Sequence, residues 1–356
     1  MSKCGSYLGN HGYTIYKECL NTEDLLYLRR TLTVQPKIFG SPVQPDSFTV
    51  FLENEKKIYV PRYLGYTEFG DPNEIRLSQS KTINCPFHGK LRSHQIPIVE
   101  KYIQATSSEG GGGLLDIPCG YGKTACALKI ISRLAVKTLV IVHKSFLLDQ
   151  WIERIKQFLP DARIGKIQGQ TIEVEGCDIV LGMLQSLCMK RYPQSVFDGF
   201  GLVVVDECHH ISSEVFSRSL QRIVTRYMLG LSATMQRKDG LTKVFKMFLG
   251  EIIHKEKRKD ENTVLVKAIN YKVDDEDFNR IEYDYRGNPK FSTMISKLCT
   301  FNPRSELILR IVKTEININP EQQILILAHN KNLLTYLFKA IEHRNIASVG
   351  YYVGGM

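Results

Sequence analysis

The stretch LLDIPCGYGKTACALKIISRL, residues 114–134, runs from an apolar segment through a glycine-bearing turn into a helix-like pattern. The turn contains GYGKT, Gly120–Thr124, placed after a strand-like run and before a helix-like one. In that context backbone N–H groups and a helix N-terminus converge on phosphates, and Lys123 would reach the β- and γ-phosphates. The strict phosphate-loop pattern has a glycine where this chain has Ile117, so a glycine-rich turn with an incidental lysine is the alternative interpretation.

Further apolar runs on the C-terminal side of this stretch predict the fold. Four of them, KTLVIVHK, CDIVLGM, GLVVVDE and YMLGLSAT, are separated by helix-length amphipathic segments. Such alternation is typical of a parallel sheet with helices on both faces. We therefore expect residues 87–256 to form an α/β domain.

The flanking segments differ in composition and predict further units. Residues 1–86 combine a helix-like stretch, TEDLLYLRRTL, with the strand-like stretch SFTVFLENEKKIYVPRYLGY, and they predict a small α+β accessory module. Residues 257–295 are charge-rich and predict a linker, although TVLVKAINYKV near its start is compatible with a strand. In residues 296–356, RSELILRIVKTEI predicts a helix and EQQILILAHNKNLLTYLFKAIEHR predicts a strand followed by a helix, so a second α/β domain begins there.

The composition indicates a globular protein with no membrane partner. The 356 residues are 43% hydrophobic, which is enough for at least one core, and no apolar run reaches the roughly 18–20 residues that cross a bilayer. The first residues lack the layout of a signal peptide, so we expect a soluble, intracellular protein. The formal net charge of +10 favours a polyanionic partner, although solvated basic faces give the same total. Nine cysteines without a Cys-x-x-Cys pair predict reduced thiols rather than a zinc site or a disulfide framework.

Two later motifs supply what a phosphate loop needs for chemistry. GLVVVDECHH places Asp206 and Glu207 after an apolar strand, where one carboxylate can hold magnesium and the other can activate the attacking water. An acidic helix cap after a strand is the alternative interpretation. LGLSAT, with Ser232 and Thr234, follows another apolar strand and could relay the state of the nucleotide, although Ser-Ala-Thr alone is commonplace.

The order Gly-x-Gly-Lys-Thr, Asp-Glu-Cys-His, Ser-Ala-Thr resembles the first RecA-like domain of a superfamily 2 DExH helicase or translocase. Three more stretches match that family in order: LRSHQ, LVIVHKSFLLDQW and DIVLGMLQSL. The resemblance covers the chain from about residue 88 to its end. It implies a RecA-like parallel sheet of the P-loop NTPase type, the beginning of a second RecA-like domain, and ATP and Mg²⁺ as cofactors.

The resemblance also implies a role for each matching residue. The catalytic residues would be Lys123, Asp206, Glu207 and His209, the last lying near the γ-phosphate. The nucleotide would be bound by Gln95, which reads adenine, and by Pro118, Cys119, Gly120, Tyr121, Gly122, Lys123 and Thr124. Thr124 and Asp206 would hold Mg²⁺, and Ser232, Ala233 and Thr234 would couple the nucleotide to strand movement. Nucleic acid would be contacted by His143, Lys144, Gln185, Ser186 and Arg237.

Within the family, PCGYGKT and LSATMQRKDGL are most similar to one branch. It holds the promoter-opening translocase of the transcription machinery, type III restriction subunits, phage repair helicases and transcript-release helicases of large DNA viruses. The stretch FLENEKKIYVPRYLG resembles the leader module of the viral enzymes. The resemblance implies a nucleic-acid partner, DNA before RNA, together with transcription or repair proteins. It implies the host cytoplasm or the virion for a viral protein, and the nucleus for a cellular one.

Other residues have competing interpretations. Neighbouring His209 and His210 point different ways and lack further ligands, so a metal pair is not expected. Trp151, at helical spacing with other apolar residues, is predicted to lie in the core rather than to stack on a base. Arg237 and Asp239 match an Arg-x-Asp element of the branch and equally fit a solvated loop. The run KEKRKD, residues 255–260, is interpreted as a solvated linker.

The chain also departs from the family pattern. No Gln-x-x-Gly-Arg segment, which carries the arginine finger in these enzymes, follows ILILAHNKNLL, so the sequence resembles a helicase cut within its second domain. Because arginine fingers contribute about a thousandfold or more, we expect this chain alone to turn ATP over slowly. The predicted function is an ATP-dependent nucleic-acid helicase or translocase. The alternatives are a nucleotide-gated binding or regulatory module without unwinding activity and, less well matched, a small-molecule kinase.

Overall fold

The structure is a computed structural model and describes residues 5–37, 44–107, 110–211, 214–235, 239–256 and 265–353. The chain forms two compact units, residues 1–260 and residues 261–356. Within the described residues, no helix combines the length and the apolar composition needed to cross a membrane.

The N-terminal part of the first unit is a small α+β module, as predicted. Its strands are β1 (Ser6–Gly9), β2 (Gly12–Tyr16), β3 (Thr33–Val34), β4 (Phe48–Thr49), β5 (Leu52–Glu53), β6 (Lys57–Val60) and β7 (Glu74–Ile75). Five of them form a sheet in the order β5-β6-β2-β1-β7, and β3 pairs with β4. Its helices are α1 (Thr22–Thr31), which coincides with the predicted one, and α2 (Arg62–Phe69).

Helix α2 lies in a stretch that the sequence predicts as strand-like. The strand ends at Val60, and Pro61 occupies the N-cap position of the helix. The helix buries Leu64 and Gly65, and a side chain at Gly65 would collide with the ring of Tyr13. The strand prediction was wrong here because tertiary packing on the sheet, rather than the local alternation, selects the helix.

The rest of the first unit is a doubly wound α/β domain, which confirms the predicted fold class. Its strands are β8 (Gly112–Asp116), β9 (Thr138–Val142), β10 (Ile164–Gln168), β11 (Thr171–Ile172), β12 (Ile179–Met183), β13 (Leu202–Val205), β14 (Tyr227–Ser232) and β15 (Ile252–Lys255). They form one sheet in the order β11-β10-β12-β9-β13-β14-β8-β15. Every neighbouring pair is parallel except β10 with β11. The helices are α3 (Gln95–Thr106), α4 (Lys123–Leu134), α5 (Ser145–Phe158), α6 (Leu184–Met189), α7 (Glu214–Leu220) and α8 (Thr242–Leu249).

Alternate residues of the central strands enter two cores, one on each face of this sheet. In β9, Leu139 and Ile141 pack into a core shared with the N-terminal module, while Val140 and Val142 pack on the opposite face. All four are fully buried, which explains why the strand reads as a continuous apolar run. At Gly112 a Cβ would collide with the carbonyl of Met228, so β8 approaches β14 closely only because no side chain intervenes.

The second unit is helical in its described part, with α9 (Glu276–Asn279), α10 (Phe291–Thr300), α11 (Asn302–Ile318) and α12 (Lys331–His343). Both predicted helices are present, as α11 and α12. Neither predicted strand is: residues 265–273 and 322–328 form no ladder, since no other strand lies within residues 265–353 to pair with them. Leu325 and Leu327 are accordingly 82% exposed.

The cysteines largely agree with the prediction of reduced thiols. Within the described residues seven cysteines are free, and three of those, at positions 85, 126 and 208, are buried. Cys19 is the exception, since it takes part in a disulfide bond.

Candidate nucleotide and nucleic-acid site

The carboxyl ends of the parallel strands meet at one edge of the large sheet, and the predicted site residues follow them. Ser232 of β14 lies beside Asp116 of β8, and Val205 of β13 lies beside Ile141 of β9. The segments after these strands therefore converge, as at the ligand-binding edge of other open α/β sheets.

The predicted phosphate loop connects β8 to α4 at this edge. Gly120 and Gly122 have φ values of +84° and +86°, a region that favours glycine, and a Cβ at Gly122 would collide with Nε2 of Gln95. Helix α4 begins at Lys123, so its first N–H groups face the loop. All seven predicted nucleotide-binding residues of the loop lie together here, with Cys119 exposed.

Gln95, predicted to read adenine, lies beside the loop at the start of α3. It is 4% exposed, and its amide Nε2 donates to the carbonyl oxygen of Tyr121 at 2.9 Å. Its Oε1 accepts a hydrogen bond from the backbone N–H of Arg92, also at 2.9 Å. The side chain thus ties the phosphate loop to the preceding segment, and each end of the amide retains further hydrogen-bonding capacity.

Glu207 is joined directly to the lysine of the loop. Lys123 Nζ lies 2.7 Å from Glu207 Oε1, and the two side chains are 11% and 23% exposed. Glu207 has a φ of +47°, which is rare for a residue with a Cβ and stores backbone strain at this position. The fold thus brings together two predicted catalytic residues that are 84 positions apart in sequence.

Asp206 is held by two donors. Its Oδ1 accepts the backbone N–H of Glu207 at 3.0 Å, and its Oδ2 accepts the indole N–H of Trp151 at 2.8 Å. Burial raises the pKa of the Asp206 carboxyl above its ordinary value, and the indole hydrogen bond opposes that rise.

His209 connects the acidic pair to the Ser-Ala-Thr segment. Its Nδ1 shares a hydrogen bond of 2.8 Å with Ser232 Oγ and lies 3.4 Å from Glu207 Oε2. Ser232 Oγ in turn accepts the backbone N–H of Thr234 at 3.0 Å, across Ala233. Lys123, Glu207, His209, Ser232 and Thr234 therefore form one continuous chain of polar contacts.

Four of the predicted nucleic-acid residues lie at the same edge, after β9 and β12. Val142 and Met183, the last residues of β9 and β12, are register partners. The segment with His143 and Lys144 therefore begins next to the segment with Gln185 and Ser186. Lys144 and Gln185 are exposed, whereas Ser186 Oγ accepts the backbone N–H of Gly169 at 2.9 Å. Arg237 lies outside the described residues.

Sequence reasoning missed two features of this edge. Trp151 is 2% exposed, which confirms its predicted place in the core, but its hydrogen bond to Asp206 was not foreseen. Phe146 is 49% exposed, and Lys144 Nζ lies 5.9 Å from the centre of its ring. An exposed aromatic residue beside a lysine is what stacking on single strands uses, and its place in LVIVHKSFLLDQW was the available signal.

In the described part of the chain, no group of three or more histidine, cysteine, aspartate or glutamate residues could hold a metal ion. The expectation that His209 and His210 form no metal pair stays a prediction, because the side chain of His210 lies outside the described residues.

Comparisons with known proteins show which proteins this chain resembles. Residues 88–237 match the family model of the type III restriction enzyme, res subunit. A protein of Acanthamoeba polyphaga mimivirus, named as an ATP-dependent RNA helicase, is 32% identical over 355 residues, which cover 97% of this chain and 68% of that protein. The DNA 3'-5' translocase XPB2 of Sulfurisphaera tokodaii is 32% identical over 187 residues, which cover 51% of this chain and 40% of the translocase. Among solved structures, the UvsW helicase of bacteriophage T4 matches with a TM-score of 0.45 and 16% identity, over 65% of this chain and 93% of that one.

The sequence match to the mimivirus protein runs through almost the whole chain, and the family match spans the segment that carries the phosphate loop and the acidic pair. The chain belongs to the superfamily 2 helicases and translocases that use ATP, in the branch of the type III restriction subunits and the helicases of large DNA viruses.

Proposed function

We propose that the protein is an ATP-driven motor that moves along or separates nucleic-acid strands, with ATP bound at the loop Pro118–Thr124. The observation that carries this proposal is the continuous polar chain from Lys123 through Glu207 and His209 to Ser232. A kinase-like phosphate site would have no need to connect its carboxylate to the end of another strand. A motor needs such a connection, because the state of the phosphate has to reach the groups that hold the strand.

The proposed chemistry assigns one task to each residue. The ammonium of Lys123 leaves Glu207 and binds the phosphates, and the carboxylate of Glu207 then accepts a proton from the attacking water. His209 lies between Glu207 and Ser232, so a change in the charge of Glu207 alters its hydrogen bond to Ser232. That hydrogen bond is the proposed route from the phosphate to the Ser-Ala-Thr segment.

Mg²⁺ is part of the proposal, with Thr124 and Asp206 as the residues that hold it. Their hydroxyl and carboxylate oxygens are donors that this ion prefers, and it is commonly held by one or two protein groups together with phosphates and water. Bound there, the ion would neutralise charge that develops on the phosphates. The nearby ammonium of Lys123 serves the same purpose from the side of the loop.

The proposed strand-binding surface consists of Lys144, Phe146 and Gln185, all exposed at the carboxyl edge. Contact through phosphates and ring stacking would make binding largely independent of base sequence. Among polymers we place DNA first, because the archaeal relative is named as a DNA translocase. RNA is the matched comparison, since the mimivirus relative is named as an RNA helicase.

We also propose that residues 87–256 are the nucleotide-binding domain and residues 1–86 an accessory module. The module contacts the domain through Arg62, which is 5% exposed and donates to the carbonyl oxygens of Thr225 and Arg226 just before β14. Residues 257–295 would be a linker, and residues 296–356 the beginning of a second RecA-like domain.

The test is ATP hydrolysis by the complete protein with no polymer, single-stranded DNA, duplex DNA or RNA. We expect at least one polymer to raise the rate, and we expect Lys123→Ala to abolish hydrolysis in all four conditions and weaken nucleotide binding. Equal rates with every polymer would contradict the motor and favour a regulatory ATPase. Unchanged ATP affinity and turnover in a folded Lys123→Ala protein would contradict the phosphate loop.

A further inference from the structure

The only tryptophan of the chain is buried, and its side chain is hydrogen-bonded to a predicted catalytic carboxylate. Trp151 is 2% exposed and packs in the apolar core on one face of the large sheet. Its single polar atom, Nε1, donates a hydrogen bond of 2.8 Å to Oδ2 of Asp206. A phenylalanine or a leucine could fill a core position of this kind, but neither could donate to a carboxylate.

This hydrogen bond fixes how the carboxylate of Asp206 is turned. The other oxygen, Oδ1, accepts the backbone N–H of Glu207 at 3.0 Å, so each oxygen is held by one donor from a different segment. A carboxylate offers about four lone-pair sites, and two therefore remain for other partners. With both oxygens held, the plane of the carboxylate cannot rotate without loss of a hydrogen bond.

We propose that Trp151 is a positioning residue, whose indole N–H holds Asp206 in the orientation that binds Mg²⁺ together with the nucleotide. The inference rests on the proposed function, because it takes Asp206 as a ligand of that ion. Hydrogen-bond partners of metal ligands typically contribute 10- to 100-fold to metal affinity or activity. A residue that only filled the core would have no such effect.

The position of Trp151 on α5 adds a connection to the strand-binding surface. The helix begins at Ser145, directly after His143 and Lys144, and Trp151 lies about 9 Å further along its axis. A nucleic-acid strand that pulled on Lys144 would thus act on helix α5, which also carries the tryptophan that is hydrogen-bonded to Asp206. The proposed polymer stimulation of hydrolysis has a physical route through this helix.

The experiment replaces the indole N–H and measures binding rather than turnover. In the complete protein, Trp151 is exchanged for β-(3-benzothienyl)alanine, in which sulfur takes the place of N–H in a ring system of nearly the same shape, and separately for phenylalanine. The replacement is introduced at position 151 alone by site-specific incorporation, so that it alters one site of the complete protein. The affinity for ADP is measured by competition with a fluorescent ADP analogue, in MgCl₂ and in EDTA.

In EDTA we expect both exchanged proteins to bind ADP with the affinity of the parent. In MgCl₂ we expect their affinity for ADP to be 10- to 100-fold lower than that of the parent. Ile155→Val is the matched control, because Ile155 is fully buried in the same core on the same helix and loses only a methyl group. It should keep the whole gain in affinity that MgCl₂ gives the parent. The benzothienyl protein keeps the test decisive even where Trp151→Phe fails to fold.

Two contrary results have different meanings. If the parent gains affinity with MgCl₂ and the benzothienyl protein gains equally, Trp151 is only a core residue and the inference is overturned. If the parent itself binds ADP equally in MgCl₂ and in EDTA, the assignment of Mg²⁺ to Asp206 fails in the proposed function, and the inference falls with it.

Discussion

Removal of the charge on Glu207 should make the protein bind ATP more tightly while it stops hydrolysis. In the structure, Lys123 Nζ is paired with Glu207 Oε1 at 2.7 Å, so the ammonium has to leave this carboxylate before it can bind a phosphate. Glu207→Gln keeps the size of the side chain and most of its hydrogen bonding but removes the competing charge. It also removes the repulsion between this carboxylate and the phosphates.

The magnitude follows from the burial of the pair. Exposed ion pairs contribute about 0.2–1 kcal/mol, and removal of one partner from a buried pair costs about 3–5 kcal/mol. The side chains of Lys123 and Glu207 are 11% and 23% exposed, so the free energy of this pair lies between those of the two classes, at about 1.5 kcal/mol. If ATP binding no longer has to break the pair, the affinity for ATP rises roughly tenfold. Loss of the general base should slow hydrolysis by about 10²- to 10⁴-fold.

The assay pairs equilibrium binding of a fluorescent ATP analogue with single-turnover hydrolysis of ATP. Glu251→Gln is the matched control, because Glu251 also pairs with a lysine, Lys246, at 2.6 Å, but its side chain is 81% exposed. It should change neither quantity. Weaker or unchanged ATP binding in Glu207→Gln would refute the idea that the ion pair holds Lys123 back, and hydrolysis at the parent rate would show that Glu207 is not the base.

Three further predictions concern other parts of the chain. N-ethylmaleimide should react first at Cys119, the one exposed thiol among the free cysteines of the described residues, and MgATP should slow that reaction; equal labelling rates measured by mass spectrometry with and without MgATP would place the nucleotide elsewhere. Affinity for single strands should fall with salt by about 0.7 power per phosphate contact, as measured by fluorescence anisotropy, and equal affinity at low and high salt would contradict a phosphate grip. Arg344 lowers the pKa of Glu306 to about 2, so this pair stabilises the folded chain above pH about 4.5 and is lost as the pH falls toward 2. Glu306→Gln should therefore speed hydrogen exchange of the helix Lys331–His343 at pH 7 but not near pH 2, and equal exchange at pH 7 would show that the pair contributes nothing.

The fold could be predicted where the burial of an element produces a recognisable hydrophobic pattern in its own sequence. Strand β9 is buried on both faces, so its residues form a continuous apolar run that needs no knowledge of its neighbours. Helix α2 has no such pattern, because its position depends on the close contact between Gly65 and Tyr13, which are distant in sequence. The stretch 322–328 shows the converse: its composition favours a strand, but a strand exists only when a neighbour supplies hydrogen-bond partners.

In the candidate site too, some features follow from the local sequence and others depend on tertiary contacts. The predicted phosphate loop and acidic pair consist of residue types that phosphate chemistry requires, so these predictions needed only the sequence. The 2.8 Å contact between His209 and Ser232 and the hydrogen bond from Trp151 to Asp206 depend on how strands and helices pack. A tryptophan at helical spacing predicts burial, but the direction of its one N–H is a property of the tertiary structure.

The position of β8 in the sheet has a consequence for synthesis of the chain on the ribosome. This strand, which leads into the predicted phosphate loop, pairs with β14 and β15, the last two strands of its sheet to be made. The apolar residues Leu114 and Leu115 therefore leave the ribosome long before Tyr227–Ser232 exist to cover them. At about 5–20 residues per second, the 116 residues from Ile117 to Ser232, the partner of Asp116, take roughly 6–23 s to synthesise. During that interval the nascent chain presents an unpaired apolar strand, the kind of segment that chaperones bind, and every fragment that ends before β14 lacks the strand that pairs with β8 just before the predicted phosphate loop.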